Sequence, residues 1–360
     1  YAGSRNMKDS EIAKLIAAEE KRQKSVVNLI ASENFVSDDV RAALGSAFTN
    51  KYAEGYPGRR YYGGNEVVDK LERLCQERAL ALFGLSEDEW GVNVQPYSGT
   101  PANLAIYAAL VPLGDKIMGM ELKMGGHLSH GHKVSLSGKF WRQVSYGVSR
   151  DTETLDYDEI LEIAKKEKPK LIVAGFTAYS RLIDFKAFRK IADAVGAVLL
   201  IDMSHFAGLV AGGAYPSPFG YADVVMTTTH KTLRGPRGAL IFSKKMLNSS
   251  GSMLHDLIDK AVFPGLQGGP HMNTIAAIAV ALREAAEPGF KTYAKQVVKN
   301  AQTLAAALEA KGWRIISGGT DSHLFLVDTM SRGISGKEAQ ERLEAEGIIV
   351  VDNTMDLQWW

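Results

Sequence analysis

The stretch Val224-Val225-Met226-Thr227-Thr228-Thr229-His230-Lys231-Thr232-Leu233-Arg234-Gly235-Pro236-Arg237-Gly238 runs from an apolar strand through a hydroxyl cluster to a single lysine and a Gly-Pro-Arg-Gly turn. A lysine that follows a buried strand and precedes a tight loop is expected to point into a cavity. Desolvation there disfavours the ammonium, lowers its pKa and frees a neutral amine for Schiff-base chemistry. On position alone, a surface lysine at a strand end fits equally well, and the surrounding sequence has to decide.

Working outward, strand-like runs at residues 91–94, 171–175, 197–202, 223–227 and 238–243 alternate with helical patterns, among them 157–166 and 185–195. This βαβ order predicts an α/β fold with a mainly parallel sheet covered by helices on both faces. Leu171-Ile172-Val173-Ala174 and Val198-Leu199-Leu200-Ile201 are continuously apolar, as strands buried on both faces should be. Towards the N-terminus, Asp9 can cap an amphipathic helix bearing Ile12, Leu15 and Ile16. Residues 49–66 follow no period and hold four tyrosines and four glycines, so this loop must pack against something, such as another subunit. Helical pattern resumes at 67–82. Gly268-Gly269-Pro270 is a strong breaker. Beyond it come helices at 275–286 and 293–311 and strands at 313–316 and 324–327. The expected division is an N-terminal arm (1–45), a large cofactor-binding domain (46–272) and a smaller α/β domain (273–360).

The chain has 360 residues, 46% of them hydrophobic and 23% charged, enough for a sizeable core. A net charge of +1 lends no support to a nucleic-acid or membrane partner. With Cys75 as the sole cysteine no internal disulfide can form, which fits a reducing, cytoplasmic setting. No apolar run approaches membrane-span length. Met7-Lys8 reads as the natural start, with residues 1–6 left over from expression.

The chemistry collects at strand ends. Asp202 ends one buried strand and Lys231 follows the next, and ligands of open parallel sheets bind beyond the carboxyl ends of strands. An Asp–Lys ion pair is the plain reading. A pyridoxal phosphate site uses the same pair separately: the lysine bonds the cofactor, and the carboxylate keeps the pyridine nitrogen protonated. His205 could reach the ring from the loop after Asp202. Tyr97-Ser98-Gly99-Thr100-Pro101 offers a helix N-terminus with small and hydroxyl residues for a phosphate. No G-x-G-x-x-G follows a strand and no P-loop lysine motif is present, which counts against dinucleotides and nucleoside triphosphates. His127, His130 and His132 lie close together, but no Cys, Asp or Glu in that run completes a metal site, so ring stacking on a flat cofactor suits His127 better and no metal is expected.

Several long motifs in order then resemble one family. They are Asn28-Leu29-Ile30-Ala31-Ser32-Glu33-Asn34, Asn50-Lys51-Tyr52-Ala53-Glu54-Gly55-Tyr56-Pro57-Gly58, Arg60-Tyr61-Tyr62-Gly63-Gly64, Thr228-Thr229-His230-Lys231-Thr232-Leu233, Gly235-Pro236-Arg237-Gly238 and Gln267-Gly268-Gly269-Pro270. Together they resemble serine hydroxymethyltransferase (glycine hydroxymethyltransferase), from Glu11 to about Ile349.

The resemblance implies the aspartate-aminotransferase-like fold of the fold-type I pyridoxal phosphate enzymes, and at least a homodimer with shared active sites, a tetramer being the alternative. It implies reversible transfer of the serine hydroxymethyl group to tetrahydrofolate, giving glycine. By the same resemblance, Lys231 bonds the cofactor, Asp202 pairs with the ring nitrogen, His127 stacks on the ring, and His205 neighbours the ring hydroxyl. Ser98, Gly99 and Thr100 hold the phosphate, helped by His230 and by Gly268 and Gly269 from the other subunit. Thr177 lies near the ring and Thr228 precedes the lysine loop. Glu54 is the acid/base group of the transfer, with Tyr52 and Tyr62 beside it reaching across the dimer. Ser32 helps hold the amino acid, Arg237 steadies the lysine loop, and Tyr61, Leu122 and Asn353 lie where the pteridine docks. The family continues past Asp352-Asn353-Thr354 into a segment with a carboxylate-binding arginine, whereas residues 355–360 do not resemble it. Two other readings of the residues are a folate-independent aldolase of 3-hydroxy amino acids and an inactive scaffold on the same fold.

Overall fold

The structure, a computed structural model, describes residues 7–247 and 251–352. Residues 1–6, expected to be left over from expression, Asn353 and the divergent 355–360 lie outside the described residues.

Seven strands form the central sheet: β1 (Trp90–Asn93), β2 (Lys116–Met120), β3 (Arg142–Tyr146), β4 (Leu171–Ala174), β5 (Val198–Asp202), β6 (Val224–Thr228) and β7 (Ala239–Lys244). Their order across the sheet is β1-β7-β6-β5-β4-β2-β3. The pairs from β3 through to β6 are parallel, and β7 is antiparallel to both β6 and β1. Alternate residues of each inner strand enter two separate cores. Ile172, Leu199, Ile201 and Val225 pack on one face with Phe188 and Ile191, while Leu171, Val173, Leu200 and Met226 pack on the other with Ala102 and Ile106. The helices supplying those partners, Phe185–Val195 and Gly99–Leu110, therefore cover opposite faces. This is why the strands read as unbroken apolar runs.

The sequence pattern locates five of the seven strands within a residue or two. It passes over β2, which Gly119 interrupts, and β3, an edge strand whose exposure alternates. Both are needed, because they carry the loops that bring His127 and His130 to the sheet.

Helix α1 (Ser10–Ser25) is capped by the Asp9 carboxylate at the Glu11 and Ile12 amides, and it buries no residue. After it, Val27–Asn28 pairs in parallel with Ile348–Ile349, tying the arm to the far end of the described chain. Helix α2 (Asp38–Leu44) and helix α3 (Glu66–Leu82) both pack against the helix Met272–Ala285, so the segment following Gly269-Pro270 folds back over the arm and the start of the large domain. A short hairpin, Gly55–Tyr56 with Arg59–Arg60, orders part of the tyrosine-rich loop.

Candidate active site

The carboxyl ends of β1, β2, β4, β5 and β6 face one region, and their loops supply the chemistry. Lys231 follows β6 in a tight turn. Its carbonyl accepts from the Arg234 amide at 3.1 Å, the Thr229 hydroxyl donates to the Pro236 carbonyl at 2.6 Å, and the Gly235 amide to the Thr229 carbonyl at 2.7 Å. Lys231 is only 9% exposed. Burial lowers its pKa against the pull of Asp202, and Arg237 lowers it further.

Asp202 ends β5. Its Oδ1 accepts from the Ser204 amide (3.1 Å) and hydroxyl (2.6 Å), and its Oδ2 from His130 Nε2 (2.9 Å) and Asn103 Nδ2 (3.1 Å). Burial alone would push the carboxyl up; the hydrogen bond and charge of His130, with Ser204, hold it well below the usual carboxylate range. The group stays ionised in a dry setting, as a partner to a protonated ring nitrogen must. The four donors use the roughly four acceptor positions of a carboxylate, so a ring N–H would take over one of them. Gly175, at φ +149 after β4, permits this closeness: a Cβ there would meet the Asp202 carbonyl oxygen at 2.1 Å.

His127 accepts at Nδ1 from the Ser129 amide (3.1 Å) and hydroxyl (2.7 Å), which places its proton on Nε2. Burial, then the His130 charge, lower its pKa to about 4, so the ring is neutral and suited to stacking. Thr177 donates its amide to the Gly125 carbonyl at 2.9 Å, which sets it beside the turn that delivers His127. Leu122 begins the short helical turn after β2.

The Ser98 side chain makes no capping bond to the helix that starts at Gly99, so the first amides of that helix and the hydroxyls of Ser98 and Thr100 are available to an anion. Gly99 is pressed on Thr228: a Cβ would come within 2.7 Å of Thr228 Cγ2. The Thr228 hydroxyl, His230 Nδ1 and His205 Nε2 are buried without hydrogen-bond partners among the described residues. Burial, then Arg237, lower the His230 pKa to about 4. Burial and Lys231 hold His205 well below the usual histidine range.

A second cluster forms around Glu54. Tyr52 and Tyr62 meet edge-on at 5.0 Å, and the Tyr52 hydroxyl donates to Glu54 Oε1 at 3.4 Å. Gly268 borders Glu54 and Gly269 borders the Tyr52 ring, while the Tyr97 hydroxyl donates to the Gly269 carbonyl at 2.7 Å. Tyr52 and Glu54 thus lie with Gly268, Gly269 and Tyr97, the residue before the Ser98-Gly99-Thr100 turn. Tyr52, Tyr61 and Tyr62 are 54%, 74% and 49% exposed, a large aromatic surface on a single chain.

Several participants escape sequence reasoning. Arg60 Nη1 holds the Ala53 and Gly55 carbonyls on either side of Glu54 (2.9 and 2.8 Å), while its other nitrogens pair with Asp69 and Glu72. His130 and Asn103 reach Asp202 from the β2 loop and the helix Gly99–Leu110. His323 stacks on His205 with ring centroids 5.6 Å apart. The third histidine of the run, His132, accepts from the Val134 amide at 3.5 Å. Among the described residues no group of three or more His, Cys, Asp or Glu could hold a metal ion.

A serine hydroxymethyltransferase family profile matches residues 5–358. The chain belongs to the serine hydroxymethyltransferase family. Curated family proteins from Acidothermus cellulolyticus and Desulfotalea psychrophila are each 54% identical over 347 residues, covering 96% of this chain and 79% of theirs. The family interconverts serine and glycine with tetrahydrofolate as co-substrate and depends on pyridoxal 5'-phosphate, which makes this chain a one-carbon transferase of fold type I. The residues fit that cofactor: a desolvated lysine, an ionised buried carboxylate, an uncapped helix start and three orphaned buried polar atoms stand around one region.

Proposed function

We propose that the family reaction runs on this chain through the residues at the carboxyl ends of β5 and β6, with Lys231 as the cofactor-bonding lysine. The observation that carries this reading is the Lys231–Asp202 pair: one amine whose pKa burial lowers and one carboxylate kept ionised by its donors. When bound, pyridoxal phosphate supplies an electron-poor ring that accepts the charge left at Cα as the Cα–Cβ bond of serine breaks. Asp202 holds the ring nitrogen's proton, and His130, Asn103 and Ser204 keep Asp202 ionised. His127 covers the ring with a neutral imidazole. His205 Nε2 and the Thr228 hydroxyl are available to the ring's polar edge, with Thr177 nearby. Ser98, Gly99, Thr100 and His230 take the phosphate. Ser32 holds the amino acid, and Arg237 steadies the loop while its charge lowers the Lys231 pKa.

Glu54 moves the proton of the hydroxymethyl transfer, a role worth about 10²–10⁴ in rate. Its neighbours Tyr52 and Tyr62 orient it, while Tyr61 and Leu122 border the folate. Glu54 and Tyr52 border Gly268 and Gly269, and the family resemblance assigns this group to the lysine of a second copy. The exposed tyrosines support a homodimer with shared sites. Cytoplasmic location fits the single buried cysteine and the absence, among the described residues, of a helix long and apolar enough to cross a membrane. The division into 1–45, 46–272 and 273–360 belongs to the same reading, with Met272–Ala285 packing back across its boundary.

Subunit complementation tests the reading. Lys231→Ala and Glu54→Gln should each be inactive alone. Co-expressed, they should recover about a quarter of wild-type activity, since half of the dimers are mixed and each mixed dimer has one intact site. No recovery from folded, mixed dimers would place both residues in one subunit's site. Serine cleavage that ignores tetrahydrofolate would favour the aldolase reading.

A further inference from the structure

Asn34 ends the motif that begins at Asn28, in which only Ser32 has a role so far. Its Oδ1 accepts from the Phe35 amide at 2.9 Å, which turns its NH2 towards the core. That NH2 donates to the Lys231 carbonyl and to the Tyr293 hydroxyl, both at 3.0 Å. The Lys231 carbonyl also closes the turn to Arg234, a non-glycine residue at φ +60. Such a conformation persists only where its surroundings hold it. Here the holding contacts come from the same two places: the Arg234 guanidinium lies 4.8 Å from the Tyr293 ring centre, and its Nε donates to the Phe35 carbonyl at 3.4 Å.

We propose that Asn34 is a positioning residue for Lys231, clamping the lysine turn from the arm so that the amine is correctly presented only while the arm is docked. The arm is in turn paired through Val27–Asn28 to Ile348–Ile349, so displacement of that strand reaches the lysine through this contact. The inference rests on Lys231 being the cofactor lysine.

Three variants of the full-length holoenzyme separate the outcomes. Asn34→Asp keeps the shape but sets a carboxylate oxygen against the Lys231 carbonyl. Asn34→Ala deletes the contact. Tyr293→Phe keeps the ring under Arg234 and the Asn34–Lys231 bond. Amide exchange over residues 232–235 should quicken by about two- to tenfold in both Asn34 variants, the loss of one hydrogen bond. The pH midpoint of the cofactor absorbance should move, and kcat should fall with KM nearly unchanged. Tyr293→Phe should resemble the wild type in all three. Unchanged exchange at 232–235, or acceleration spread over the whole sheet, overturns the proposal. A missing pyridoxyl adduct on Lys231 removes the reading beneath it but leaves the exchange result standing, so the two failures are distinguishable.

Discussion

At the scale of single residues, Lys231 and Asp202 were legible because strand ends are: an apolar run fixes where the strand stops, and the next charged side chain lies at the sheet's carboxyl edge. Their supporters were not legible. His130 and Asn103 lie far from Asp202 in sequence, and nothing in a histidine's local pattern says which carboxylate it will meet. The support predicts a specific fault. In Asp202→Asn the new NH2 group replaces an oxygen that faces the donors of His130 and Asn103, so it repels both and cannot pair with a ring N–H. Losing a charged hydrogen bond of this kind should weaken cofactor binding by about 10- to 100-fold, measured by titrating cofactor-free protein. Binding within twofold of wild type would contradict the assigned role of Asp202.

Among the elements, the inner strands declared themselves because both faces are buried, while the edge strand β3 hid behind its alternation and β2 behind a glycine. The Glu54 hairpin is the opposite case: its motif was plain, but the force holding it was not. Arg60 is the fastener. Its side chain is 4% exposed and that of Glu72 is fully buried. Burial pushes the Glu72 carboxyl up, and Arg60 opposes this. Removing one partner of a buried pair costs about 3–5 kcal/mol, whereas replacing both with apolar groups is often near neutral. Arg60→Met should therefore lower unfolding free energy by about that amount in urea melts, and adding Glu72→Met should recover part of it. A single variant as stable as wild type would show that the hairpin is held by other contacts.

For the molecule as a whole, the contacts of Glu54 and Tyr52 with Gly268 and Gly269 bring together residues more than 200 apart in sequence. No periodicity could reveal those contacts, because they depend on where the 49–66 loop docks. The burial of so many histidines also makes stability depend on pH. His127, His230 and His323 are each lowered to about 4 from 6.5, in each case chiefly by burial. A depressed histidine stabilises the fold above its unfolded pKa, and that contribution is lost as pH falls through the window between the two values. Cofactor-free protein should thus lose stability from about pH 6.5 down to about pH 4, with up to four extra protons bound on unfolding once His205, held lower still, is included. A denaturation midpoint that stays flat across that window would show these rings to be solvated. The central claim, that the lysine after β6 holds the cofactor, is tested most directly by reducing the cofactor-loaded protein with borohydride and mapping its peptides. The account predicts a single pyridoxyl adduct, on Lys231. An adduct on another lysine, or none on a protein that binds the cofactor, would contradict it.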